Sequence, residues 1–75
     1  MAKIGDVIRL NDQKNYIVVN TVDYENNTYG YLCEVDNAEN VKIVQFESEN
    51  KLSIIGSNEK ELLTKLILLL ANSDN

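Results

Sequence analysis

Cys33 is the one thiol in a chain of 75 residues that contains no histidine. Those two facts narrow the chemistry sharply. A cysteine becomes a nucleophile when a neighbour lowers its pKa, and histidine is the usual neighbour; it is also the commonest general base near neutral pH and the commonest metal ligand. The residues around Cys33 read as a strand with Tyr31 and Val35 on the same side, so the thiol reads as a small core hydrophobe. Carboxylate pairs such as Glu47 and Glu49 fall in a turn, where water keeps both ionised. Asp36, Asn37 and Glu39 offer oxygens to a cation, yet the turn glycine and closing glutamate of a calcium loop are missing. Gly5, Gly30 and Gly56 are isolated and make no phosphate cradle. The expectation is a non-enzyme with no metal ligands, no cofactor and no small-molecule substrate.

Charge argues next. Seven Lys and Arg stand against twelve Asp and Glu, a formal net charge of −5, and such a field repels phosphate, which excludes a direct nucleic-acid binder. The alternative is that an acidic β protein imitates a nucleic-acid backbone and inhibits a DNA-binding protein, using Asp23, Glu25, Glu34, Asp36, Glu39, Glu47 and Glu49. Lys42 and Lys51 interrupt that series, and solubility explains it equally well. Four tyrosines point instead to protein contact. Tyr16, Tyr24, Tyr29 and Tyr31 fall on one face toward one hairpin end, where half-exposed tyrosines serve interfaces, as a shallow aromatic groove for a peptide or partner.

These side chains need elements to hold them, and length permits one domain, residues 1–75. Short β-rich stretches bounded by Asn, Asp, Gly or Ser predict strands over 7–10, 16–24, 29–35, 41–47 and 51–55. Gly56 breaks the pattern. Asn58 followed by Glu61 then reads as an N-cap and its reciprocal partner, opening a helix over 58–71. The fold class is therefore mainly β (α+β), a five-stranded antiparallel meander with one C-terminal helix.

Turn chemistry sets a register. A two-residue turn at Asn26–Asn27 puts Tyr24 opposite Tyr29, Val22 opposite Tyr31 and Val18 opposite Val35. A loop from Asp36 to Asn40 sets Val35 against Val41, Glu34 against Lys42 and Leu32 against Val44. A three-residue loop at Ser48–Asn50 brings Glu47 to Lys51, Phe46 to Leu52 and Val44 to Ile54. Both faces then come out apolar. One carries Ile17, Val19, Leu32, Val44, Phe46, Leu52 and Ile54; the other carries the tyrosines with Val18, Val22, Cys33, Val35, Val41 and Ile43. A sheet with two apolar faces must curl or be covered, so a half-open barrel is expected, with the aliphatic face against the helix.

On the helix, Leu62, Leu63, Leu66, Ile67, Leu69 and Leu70 span an arc of about 160°, an ordinary buried stripe. Leu68 falls outside it, among Glu61, Thr64 and Lys65. Its exposure suits self-association by helix packing, commonly with two-fold symmetry. The longest apolar run, Leu66–Ala71, is far short of the roughly 20 residues that cross a membrane. With one cysteine and no leader pattern, the expected compartment is the cytoplasm.

The opening Gly5-Asp6-Val7-Ile8-Arg9-Leu10, the turn Asn11-Asp12-Gln13-Lys14 and the run Tyr16-Ile17-Val18-Val19 resemble the start of SH3-like barrels. With Asn58-Glu59-Lys60-Glu61-Leu62-Leu63 opening a terminal helix, the chain is also similar to small acidic proteins of unknown function from Gram-positive bacteria and their mobile elements. That resemblance implies a cytoplasmic bacterial or phage origin and an SH3-like barrel, and it carries no site residues with it.

Overall fold

Two adjacent left-handed residues turn the chain at its first long hairpin, Glu25 at φ 51° and Asn26 at φ 70°. Positive φ at both central positions is what a two-residue turn needs to match the twist of its strands. In the computed structural model, which describes residues 2–72, five strands and one helix follow in chain order: β1 (Val7–Arg9), β2 (Asn15–Tyr24), β3 (Asn27–Glu34), β4 (Asn37–Ser48), β5 (Lys51–Ile54) and α1 (Lys60–Asn72). Each strand pairs antiparallel with the next, in the order β1-β2-β3-β4-β5. The meander curls into a half-barrel with α1 on its outside.

The register differs from the sequence expectation in two ways with different consequences. The β2–β3 turn is Glu25–Asn26 rather than Asn26–Asn27, so Tyr24 meets Asn27 and Val22 meets Tyr29. This changes partner numbers by two, and each side chain keeps its face. The β3–β4 ladder is also displaced by two, with Tyr31 opposite Ile43 and Cys33 opposite Val41, and β4 gains its extra residues where Glu34 pairs with Asn37. The second difference is a bulge at Val19, between the pairs Val18–Leu32 and Asn20–Tyr31. One extra residue on one strand does reverse the faces beyond it. Tyr16 and Val18 therefore join Leu32 inside the curl, while Ile17 and Val19, expected on the same face as Leu32, are exposed. The β4–β5 ladder keeps Phe46 opposite Leu52 and Val44 opposite Ile54, but its turn is Glu49–Asn50 rather than the expected three residues Ser48–Asn50, so Ser48 and not Glu47 pairs with Lys51 and Glu47 is the extra residue.

Inside the curl, Leu10, Tyr16, Val18, Leu32, Val44 and Phe46 are buried together, closed off by Ala2, Ile8 and Leu52. Gly30 belongs to this layer for a steric reason: a Cβ there would stand 2.6 Å from Phe46 Cε2, inside any van der Waals contact. The N-terminal segment is held by a turn in which Asp6 N–H donates to the Lys3 carbonyl, and Gly5 at φ 95° supplies the conformation that a side chain would oppose.

The helix does not take the aliphatic face. It lies on the tyrosine-bearing side, where Leu66 is buried with Tyr29 and Ile55 and flanked by Val22, Tyr24, Ile43, Leu62 and Leu63. The aliphatic face is already closed by the curl and by residues before β2, and Ile55, whose N–H donates to the Ile43 carbonyl at 2.8 Å, leads the chain onto the outer side. The helix also begins two residues later than expected. Glu59, rather than Asn58, stands at the cap, its carbonyl accepting from Leu63 N–H at 2.9 Å. Among the described residues no helix is long and apolar enough to cross a membrane.

Candidate functional site

The four tyrosines separate into three environments. Tyr16 is fully buried inside the curl, Tyr29 is buried beneath α1, and Tyr24 and Tyr31 are half-buried on the outer face. The bulge at Val19 removes Tyr16 from the common face, and the helix covers Tyr29, so no continuous aromatic groove forms. Tyr31 lines an open depression.

That depression is a groove of about 770 Å³ between α1 and the outer face of the sheet. β2 contributes Val19 and Asn20, β3 Tyr31, and β4 Val41, Lys42 and Ile43. Ile54 and Ile55 form its far wall, and Leu63, Ile67, Leu70 and Ala71 form the helical side. Period-two alternation places Tyr31 and its neighbours Val41 and Ile43 on this face, and spacing of three and four places Leu63, Ile67 and Leu70 along one flank of the helix. A polar tie fixes the groove's end: Asn20 Nδ2 donates to the Leu70 carbonyl at 3.3 Å. Val19, Val41, Ile54 and Ile67 are each 41–53% exposed. Leu68, the next residue on the helix, is 58% exposed. Single exposed aliphatics are common on protein surfaces; here several border one depression.

The polar chemistry lies elsewhere and is structural. Tyr16 buries its ring and sends its hydroxyl to Asp12 Oδ2 at 2.7 Å, while Asn40 Nδ2 donates both to that hydroxyl, at 3.1 Å, and to Glu34 Oε1, at 3.0 Å. The hydrogen bond from Tyr16 holds the Asp12 carboxyl below its ordinary range, and the same bond to Asp12 holds the tyrosine hydroxyl above its own. Glu47 is likewise lowered, first by the Ser53 hydroxyl and then by Lys51, whose ammonium stands 3.5 Å from it. Cys33 is half-buried, with its thiol against the carbonyls of Ala38 and Glu34 at 3.4 and 3.7 Å. Among the described residues no group of three His, Cys, Asp or Glu could hold a metal ion.

The acidic residues of the three hairpins from β2 to β5 gather at two opposite ends. Asp23, Glu25, Glu47 and Glu49 flank the β2–β3 and β4–β5 turns; Glu34, Asp36 and Glu39 flank the β3–β4 turn at the other end. Several are engaged locally: Asp23 accepts from Thr28 Oγ1 at 2.8 Å, and Glu34 and Glu47 hold the partners named above. Sequence reasoning did not find Val19, Val41 or Ile54 as site residues. The available signal was the second apolar face, too large for one short helix to cover; Ile67 carried the matching signal, at the margin of the leucine stripe. Compared with known proteins, the sequence matches no family model, and no curated protein or solved structure is similar to it.

Proposed function

We propose that this chain is a non-catalytic protein-interaction module whose working surface is the apolar groove between α1 and the outer face of the sheet. The carrying observation is that Val19, Val41 and Ile67 stay about half exposed around one depression, although a chain this small needs its aliphatic side chains in its core. Tyr31 offers the groove a rigid amphipathic ring, the residue type that interfaces favour. Imitation of a nucleic-acid backbone is the less supported reading, because it asks for a continuous acidic stripe and the hairpin carboxylates stand at opposite ends of the sheet.

The test is site-specific photo-crosslinking in the cell of origin, with the photoreactive residue at Val41 or Ile67 and, as counterparts away from the groove, at Gln13 or Ser48. The expected result is a discrete protein adduct from the groove positions alone. Adducts of equal yield from all four positions, or none from the groove, overturn the proposal.

A further inference from the structure

We infer that the occupant of the groove is a second copy of this chain, in a two-fold dimer whose axis runs along α1 and sets the two helices parallel and side by side between the two sheets. The inference rests on the groove being the working surface, and it names what fills it.

Charge selects the occupant first. The chain carries −5, so most ways of bringing two copies together set carboxylate against carboxylate. The groove is the exception. Its twelve lining residues include one charged side chain, Lys42, and no carboxylate. Two copies meeting there desolvate no acid, which is the condition an apolar self-contact in an acidic protein must satisfy.

Shape selects it next. A two-fold contact requires one patch to carry both a ridge and the hollow that receives it. Projected at 100° per residue, Ile67, Lys60, Ala71, Thr64 and Leu68 follow one another from the groove wall to the top of α1, with Lys60 in the first turn the one charge among them, before Glu61 and Lys65 begin. Thr64, Ile67 and Ala71 repeat at three and four residues, a small–large–small seam that lets a second helix approach closely. In the two-fold arrangement this seam meets its symmetry mate. Leu68, 58% exposed at the top of the helix, then descends into the partner's groove against Val41, which is 41% exposed. One arrangement thus covers the flank of the helix, its top and the sheet wall; a segment lying only in the groove would leave Leu68 in water.

Area is consistent with a modest dimer. A standard footprint of about 800 Å² per partner corresponds to roughly 15% of the 5195 Å² surface. The lining residues with Thr64 and Leu68 are about a fifth of the described chain, which places the contact at the small end of stable interfaces and its dissociation constant at about 1–100 μM.

Sedimentation of the full chain from about 5 μM to 1 mM, spanning that range, tests this. The expected result is a rise from 8.5 kDa toward twice that mass, with Leu68→Glu and Val41→Glu each weakening association about 100-fold or more, as an unpaired charge in an apolar contact does. Both variants should keep the wild-type circular dichroism, because both side chains are exposed in the single chain. Ser48→Glu adds the same charge at the β4–β5 turn and is expected to shift the constant less than about twofold. A wild type that remains at 8.5 kDa throughout, or a Leu68→Glu variant that dimerises as the wild type does, overturns the dimer. The crosslinking separates the two levels. An adduct of two copies from Val41 or Ile67 supports both proposals, an adduct with a different protein alone overturns the dimer and keeps the interaction module, and no adduct overturns both.

Discussion

The two apolar layers of this molecule lie on opposite faces of one sheet and are closed to very different degrees. Inside the curl, Tyr16, Val18, Leu32 and Val44 are at most 1% exposed, and both ends of the meander fold over them. Among the described residues of the outer face only Tyr29, Ile55 and Leu66 are buried, and the layer runs out into a groove whose aliphatic walls face solvent. A chain of this length removes only about 60% of its unfolded surface from water, too little to close two layers. The difference teaches a division of labour: the inner layer holds the fold, and the outer layer is closed only in part, leaving the groove that we propose as a contact surface.

The largest expected effect strikes the inner layer. Phe46→Ala should cost about 3–5 kcal/mol, through lost burial and the cavity left over Gly30. That approaches the whole stability of a small domain, commonly about 5–15 kcal/mol. Gly30→Ala attacks the same contact from the backbone side, since its Cβ would lie 2.6 Å from the Phe46 ring. Urea denaturation checks both. A Phe46→Ala midpoint near the wild type would mean that the curl is not the core, and the comparison would fail.

Leu66 is the corresponding anchor of the outer layer, fully buried on a helix whose other apolar residues are partly exposed. Leu66→Ala is expected to cost about 2–3 kcal/mol, at the low end for a leucine because the open layer can collapse around the gap. Native-state hydrogen exchange, measured where the chain is monomeric, sharpens the point. Amides of α1 should open at a lower free energy than those of β2, β3 and β4, because fewer buried contacts hold them. Equal opening free energies would show one cooperative unit.

How much of this was legible beforehand differs between the same two layers. Alternating apolar residues between Asn, Asp and Gly turns mark all five strands, and the spacing of Leu62, Leu63, Leu66, Leu69 and Leu70 marks the helix. The β4–β5 pairs Phe46–Leu52 and Val44–Ile54 are legible from the sequence, whereas the turn is one residue shorter than expected and sets Ser48, not Glu47, opposite Lys51. The first hairpin is not legible, because Asn26–Asn27 suits a left-handed turn as well as Glu25–Asn26 does, and only the assembled sheet decides between them. The bulge is not either. Val18 and Val19 are identical in type, so nothing local marks which is extra, and that one residue moves Tyr16 into the core and Ile17 and Val19 out of it. With both faces apolar, hydropathy alone does not say which the helix covers. The exposed Leu68 was legible from helical arithmetic, whereas the groove needs three strands and a helix placed together.

A smaller effect comes from the polar cluster that ties the rim of the inner layer. Asp12 titrates lower in the folded chain than in the unfolded one because Tyr16 donates to it, so its contribution is present above the ordinary carboxylate range and is lost as pH falls through the lowered value. Tyr16 titrates higher when folded; its contribution is full below about pH 10 and is lost as pH rises through the raised value. Asp12→Asn should flatten the acid limb of stability against pH, and Tyr16→Phe the alkaline limb. Melting temperatures across pH 2–11 in steps of about one unit would show this. An acid limb unchanged by Asp12→Asn would assign it to other carboxylates, such as Glu47, which Ser53 and Lys51 also hold low.

The smallest expected effect is a null result at Val19, and it decides the register on which the comparison stands. Val18 is 1% exposed and its neighbour Val19 is 45% exposed, one on each side of the sheet at the bulge. Valine to threonine keeps the shape and the β-branch and exchanges a methyl for a hydroxyl, so the substitution reads the environment with little steric change. At Val18 the hydroxyl enters the closed layer, where no partner stands ready, and the cost should be about 1–3 kcal/mol. At Val19 it enters water, and stability should move by no more than about 0.5 kcal/mol. Both are read as urea midpoints at a concentration where sedimentation shows a single chain, so that loss of a groove contact does not enter. A ladder running without the bulge would exchange the two outcomes, because a one-residue slip carries each side chain to the other face. A costly Val19→Thr beside a tolerated Val18→Thr would therefore put the wrong residues in the core and remove Val19 from the groove.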